Sequence, residues 1–421
     1  MNKRDFIKKM GVLGLVSGGY LTNLQDLMAA HKHLAPQALA SDEAFWAKIR
    51  EGYRLKPDYI NLENGYYCFM PQEVLDRHLQ RVQDINFQGS WYMRNHRFED
   101  NIEIRKKLAR VVGAKYEEVI LTRNTTESLD TVIAGYDWRP GDEAVMAIQD
   151  YGAMIDMFKF QSRRYGLISK KVDVPLHPTS DEEIVTLYES AITKNTRLLM
   201  VSHMINITGQ ILPIKKICDM AHRHGVDVLV DGAHCVGHFQ YKIDDLGCDY
   251  YGSSLHKWLS TPLGAGLLYV KEHKIAKLWQ LFGDTGYADH DIRKLNHTGT
   301  PPVHTDLAVM DAIAYYDMIG APRKEARLRF LQQYWTTQVR GLSHIDLNTP
   351  IEPHRSCGIA NVGVKGMKPA DLAKTLLEKY RIFTVPIDGA NVHGCRITPN
   401  IYTSTQELDT FVAALKEIKA N

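Results

Sequence analysis

No run of 18 or more apolar residues occurs anywhere in the 421 residues, so no stable membrane span is expected. Internal repeats and low-complexity tracts are also missing, which sets aside repeat architectures and disordered arrays. Charge of one sign is scarce: 51 Lys and Arg stand against 49 Asp and Glu, a net charge of +2. No basic run interleaves with aromatics, so a nucleic-acid partner is not expected. The six cysteines, Cys68, Cys218, Cys235, Cys248, Cys357 and Cys395, show no Cys-x-x-Cys spacing. The His-x-His pairs His31/His33 and His222/His224 lack further ligands at metal spacing, and no metal site is expected. The thiols read as small buried hydrophobes, with Cys395 in a strand.

What is present suits a large globular enzyme. With 44% hydrophobic and 24% charged residues, the chain can bury a sizeable core and divide into two lobes. Alternating strand and helix patterns predict an α/β fold with a mostly parallel sheet sandwiched by helices in the large domain, plus a smaller α+β C-terminal domain. Residues 1–40 read as signal and linker, 41–75 as a segment joining the small domain, 76–300 as the large domain and 301–421 as the small one. Helices are expected from Ala308 to Met318 and from Lys324 to Val339, leading out of the large domain, and a capped helix follows Thr403-Ser404-Thr405-Gln406-Glu407. The basic run Lys3 to Lys9 and the Gly-rich apolar run 10–21 look like a twin-arginine export signal, with Lys3 in place of the first arginine. No clean Ala-x-Ala follows; Met28-Ala29-Ala30 and Ala38-Leu39-Ala40 are the nearest small-residue sites. A periplasmic or exported protein is expected. The alternative is a cytoplasmic protein whose N-terminal arm packs on a partner subunit.

The chemistry centres on Lys257. Val226 to Asp231 reads as a buried strand ending in a carboxylate, where doubly wound sheets put their ligand sites. Downstream, Ser253-Ser254-Leu255-His256-Lys257-Trp258 sets a lysine in a short polar turn. Pyridoxal 5'-phosphate (PLP) chemistry requires a lysine amine to hold the aldehyde as a Schiff base and an acid to keep the pyridine nitrogen protonated. Lys257 and Asp231 supply that pair. Ser254 and His256 can each donate a hydrogen bond to a phosphate oxygen. Glu118 to Thr122 reads as a strand that enters a helix at Thr125-Thr126, where free N–H groups, hydroxyls and the positive helix end converge. The same Asn124-Thr125-Thr126-Glu127 run reads equally as an N-cap with a capping box.

Asp231-Gly232-Ala233-His234, the lysine block and Gly264 to Val270 together closely resemble the class V aminotransferase-like family of fold-type I PLP enzymes. That family includes cysteine desulfurases, selenocysteine lyases and isopenicillin N epimerase-like proteins, and the resemblance spans residues 58–419. It implies that Thr125 and Thr126 contact the phosphate and that Tyr151 stacks on the cofactor ring; the other reading of Tyr151 is a tyrosine packed at a strand end. Asn206 is implied as a neighbour of the cofactor's phenolic oxygen or the substrate. His234 lies near the same oxygen, where a neutral imidazole can donate to it. His297-Thr298-Gly299-Thr300 resembles a segment that reaches the phosphate of the neighbouring subunit, which implies a homodimer with Thr300 acting in trans. Arg396 matches the arginine that clamps a substrate α-carboxylate.

The departures bear on function. Desulfurases of this family carry a nucleophilic loop cysteine before that arginine, and Tyr380 to Ala390 contains none. The resemblance therefore points first to an isopenicillin N epimerase-like enzyme (epimerase or aminotransferase type). It would act on an amino acid through an imine and removal of the Cα proton, with Lys257, Asp231, His234 and Tyr151 as catalytic residues. A cysteine or cysteine-conjugate lyase or desulfurase is the alternative, and a non-catalytic PLP-fold binding protein a third. Asn64 to Tyr67 and Trp91 to Arg97 either line the substrate entrance, which would favour a second anionic or polar group on the substrate, or pack at an interface.

Overall fold

The computed structural model describes residues 23–419; the segment bearing the export-signal pattern lies outside the described residues. In chain order the strands are β1 (Ile60–Asn61), β2 (Val119–Thr122), β3 (Glu143–Ala147), β4 (Ile168–Val172), β5 (Thr196–Ser202), β6 (Asp227–Asp231), β7 (Tyr250–Ser254), β8 (Gly266–Val270), β9 (Ile345–Leu347), β10 (Ala360–Val364), β11 (Ile382–Phe383), β12 (Val385–Gly389) and β13 (Val392–Ile397). Seven of them form one sheet in the order β2-β8-β7-β6-β5-β3-β4. Every pairing is parallel except those of β8, which runs against both its neighbours.

The apolar runs of β5 and β6 explain their central place, since a parallel strand covered by helices is buried on both faces. Successive side chains point to opposite faces. Leu199, Val201, Val228 and Val230 join the core on one side, and Leu198, Met200 and Leu229 the core on the other. The carboxyl ends of β2, β3, β5, β6 and β7 then lead into the loops that carry Thr125, Tyr151, Asn206, Asp231 and Lys257.

The smaller lobe is an antiparallel sheet, β12-β13-β10-β9, covered by helices Pro369–Tyr380 and Thr405–Glu417. The second of these begins at a capping box in which Ser404 and Glu407 bond each other's backbone, as its sequence predicts. β1 pairs in parallel with β11 and so threads the N-terminal segment into this lobe.

Of the two helices expected to lead out of the large domain, the first, Val303–Ile319, stays inside it. Val303, Leu307, Val309, Ala312 and Ile313 belong to the large core, because apolar residues surround this helix instead of forming one stripe. The passage between lobes falls within Ala321–Val339: Leu328 packs in the large core and Leu331, Trp335 and Val339 in the small one.

Residues expected to be a linker are also packed. Leu24, Met28 and Leu39 are buried in the large core, and the Trp46 indole donates to Leu39 O at 2.8 Å. The fully buried Arg327 donates to Ala40 O at 3.0 Å, to Glu43 at 2.5 Å and to Thr403 O at 2.9 Å. Among the described residues no helix is long and apolar enough to cross a membrane, and no group of three His, Cys, Asp or Glu side chains is disposed to hold a metal.

Candidate active site

One cavity of about 360 Å³ brings together Thr125, Thr126, Tyr151, Asn206, Asp231, His234, Ser254, His256, Lys257 and Arg396. Thr300 is not among its lining residues and is exposed on its loop. Gly65 and Tyr66 line the mouth. Tyr92 and Arg97 line an adjoining cavity that shares Arg123 and Gly264 with this one, and Arg94 and His96 line neither.

Lys257 follows β7 and is half-buried against the cavity, where desolvation lowers its pKa to about 8 against the opposing pull of Asp231. Its Nζ lies 3.0 Å from His234 Nε2. The other ring nitrogen, Nδ1, accepts the indole N–H of Trp258 at 3.3 Å. A neutral imidazole has one donor and one acceptor nitrogen, so His234 carries its proton on Nε2 and donates it to the lysine amine in that amine's neutral form. Burial, then the nearby cations of Lys257 and Arg396, hold His234 well below its ordinary pKa and keep it neutral.

A second layer fixes this pair. His238 stacks on Trp258 with ring centroids 3.7 Å apart. Its Nε2 accepts the Gly358 N–H at 2.7 Å, which leaves Nδ1 to donate to His234 O at 2.8 Å. Gly358 lies just before β10, so a backbone amide of the small lobe reaches the lysine through two histidines and a tryptophan. Lys324, from the helix shared by both lobes, donates to Trp258 O.

Asp231 ends β6, where burial raises its pKa. Its Oδ1 accepts the Ala233 N–H at 2.9 Å. The turn is tight: a Cβ on Gly232 would fall 2.1 Å from the Tyr251 hydroxyl oxygen. Beside it, Ser202 donates to Asp150 at 2.7 Å, and burial pushes the Asp150 carboxyl up to about 7.

At the other end of the cavity, Asn124 caps helix Thr125–Gly135 by accepting the Glu127 N–H. The Ser254 hydroxyl lies 2.9 Å from Thr125 N and 2.7 Å from Thr125 Oγ1. The buried Nδ1 of His256 has no hydrogen-bond partner among the described residues. Hydroxyls, a helix N-terminus and an unsatisfied imidazole nitrogen fit a phosphate group. Together with a buried carboxylate and a lysine of lowered pKa, they fit PLP.

Arg396, on β13, is buried, and its guanidinium already holds a carboxylate: Nη2 and Nε donate to Glu63 at 2.5 and 3.3 Å, and Nη1 to Asn206 O at 3.4 Å. Gly65 lies so close that a Cβ there would come within 2.6 Å of the guanidinium carbon. Sequence reasoning missed Glu63, His238 and the role of Trp258. The first pairs with a residue 333 positions away, and no local spacing marks it.

All six cysteines are buried and unpaired, and none lines the cavity. Burial pushes the thiols of Cys68 and Cys357 up to about 12 and that of Cys395 up to about 11. The His222 and His224 rings turn to different carboxylates, Asp249 and Glu189, each at 2.8 Å.

The family model described as aminotransferase class-V matches residues 68–408. An isopenicillin N epimerase of Amycolatopsis lactamdurans is 28% identical over 393 residues, covering 89% of this chain and 98% of that protein. A probable cysteine desulfurase of Halalkalibacterium halodurans is 28% identical over 285 residues, 65% of this chain and 68% of that one. Among solved structures, a C-DES mutant with glycine covalently linked to the PLP cofactor superposes with a TM-score of 0.80 at 20% identity, over 88% of this chain and 99% of that one.

Proposed function

The chain belongs to the class-V aminotransferase family and is a PLP-dependent enzyme, and from that premise we propose that it removes and returns the Cα proton of a free amino acid, as an epimerase or aminotransferase. The observation that carries this reading is the 3.0 Å contact between Lys257 Nζ and His234 Nε2 in a cavity that no cysteine lines. PLP supplies an aldehyde that takes the substrate amine and a ring that accepts the electrons left at Cα.

The chain's own groups divide the remaining work. Lys257, with its pKa lowered to about 8, is the base and acid at Cα near neutral pH. With PLP bound, His234 would turn its single Nε2–H from the lysine amine to the cofactor's phenolic oxygen. Asp231 holds the proton of the ring nitrogen. Thr125, Thr126, Ser254 and His256 bind the phosphate, Tyr151 covers the ring, and Asn206 and Arg396 orient the substrate. Persulfide transfer has no partner here, because a thiol held near pKa 12 is not a thiolate.

The test is incubation of the holoenzyme with L- and D-amino acids in deuterated water, followed by nuclear magnetic resonance. Deuterium at Cα with appearance of the antipode or the oxo acid is expected, and Lys257→Ala should lose both this exchange and the borohydride-fixed cofactor peptide. Alanine from L-cysteine with sulfur left on the protein would restore the desulfurase reading; pyruvate with ammonia would assign elimination.

The working unit is proposed as a homodimer. Phe87, Trp91 and Trp279 are 90%, 67% and 70% exposed, large apolar side chains that a second copy is proposed to cover. Thr300, outside its own cavity, is free to reach a second copy's phosphate site. Sedimentation checks this, and a fully active monomer would remove Thr300 from the chemistry.

A further inference from the structure

Glu63 sits on the arginine that the proposed function gives to a substrate carboxylate. The pair is closed off from solvent, with side chains 8% and 7% exposed. A guanidinium has five N–H groups. Glu63 takes the Nε and one Nη2 hydrogen, and Asn206 O takes one on Nη1. Two remain, one on each terminal nitrogen, which is enough for one carboxylate.

The surrounding chain holds Glu63 in this position. Its Oε1 also accepts the Tyr66 N–H at 2.9 Å. The adjoining Asn64 is locked by Thr398 and Tyr402 at 2.6 to 2.7 Å, and Gly65 lies against the guanidinium. Arg396 is thus aimed and its charge is cancelled before any substrate arrives. A carboxylate reaching the two remaining N–H groups meets a neutral pair instead of a free cation.

We propose that Glu63 is a specificity-determining residue that neutralises Arg396 and limits that arginine to one carboxylate, held reversibly by its two remaining N–H groups. The inference rests on Arg396 as the carboxylate site. The charge balance follows from Coulomb's law at short range under low exposure: removing Glu63's charge leaves the arginine to attract any anion, and removing Arg396's leaves Glu63 to attract cations.

Calorimetric titration of the holoenzyme with unreactive probes tests this, using propionate and its uncharged counterpart propionamide. Wild type should prefer propionate, and Arg396→Gln should lose the preference. If Arg396→Gln keeps it, the reading of Arg396 fails. Glu63→Gln should bind propionate about tenfold more tightly than wild type, with propionamide unchanged. Unchanged or weaker propionate binding in that variant, with Arg396→Gln behaving as expected, would overturn the role of Glu63 alone. Should Glu63→Gln fail to fold, Arg396→Gln supplies the same information with tetramethylammonium. That cation should bind about tenfold more tightly than to wild type, and equal binding would overturn the proposal.

Discussion

The lysine and the imidazole beside it make a pair whose protonation can be followed. Before the cofactor is attached, burial lowers Lys257 to about 8, and only the neutral amine attacks an aldehyde. Capture of added PLP by cofactor-free protein should therefore rise about tenfold per pH unit below pH 8 and level off above it, as read by absorbance in stopped flow. A plateau beginning near the ordinary lysine pKa would mean that the amine is not desolvated as described. The linked stability runs the same way. The unfolded chain holds this proton to higher pH, so the cost of burying Lys257 is present below pH 8 and is relieved as pH climbs towards the unfolded value. Trp258 fixes the tautomer through a bond of 3.3 Å. Trp258→Phe keeps the stacked ring and removes the donor. It should lower kcat about three- to tenfold, the worth of one hydrogen bond, with PLP content and KM little changed. Loss of cofactor instead would make the tryptophan a packing residue.

At the level of elements, legibility followed distance along the chain. Strand ends and the turns after them are contiguous, so Asp231, His234, Ser254, His256 and Lys257 stood together in the sequence before the fold brought them to one cavity. The α/β architecture was equally readable from apolar runs alternating with helical periods. Three things were not. The passage between lobes occurs inside a helix, and periodicity does not report which core a turn faces. Residues 36–40 read as the end of a linker, yet they pack on Ala321–Val339, because Arg327, which donates to Ala40 O, is 287 positions away. Glu63 and Arg396 meet only through the small lobe. The second of these contacts can be measured: Arg327→Ala should lower stability by about 3 kcal/mol, since three acceptors lose one buried cation. The check is the denaturant midpoint at unchanged slope.

For the whole molecule, the helix Ala321–Val339 matters most, because it contributes side chains to both hydrophobic cores. Domains joined by a linker melt independently, whereas units that share a buried element do not. The holoenzyme should show one heat-capacity peak in scanning calorimetry; two resolved peaks would separate the lobes. Lys324, from the same helix, holds the carbonyl of Trp258, one residue beyond the reactive lysine. Loss of the cofactor's visible absorbance should therefore coincide with the single heat-capacity peak, so the temperature at which the colour disappears also reports on a lobe that carries no part of the cofactor's phosphate site.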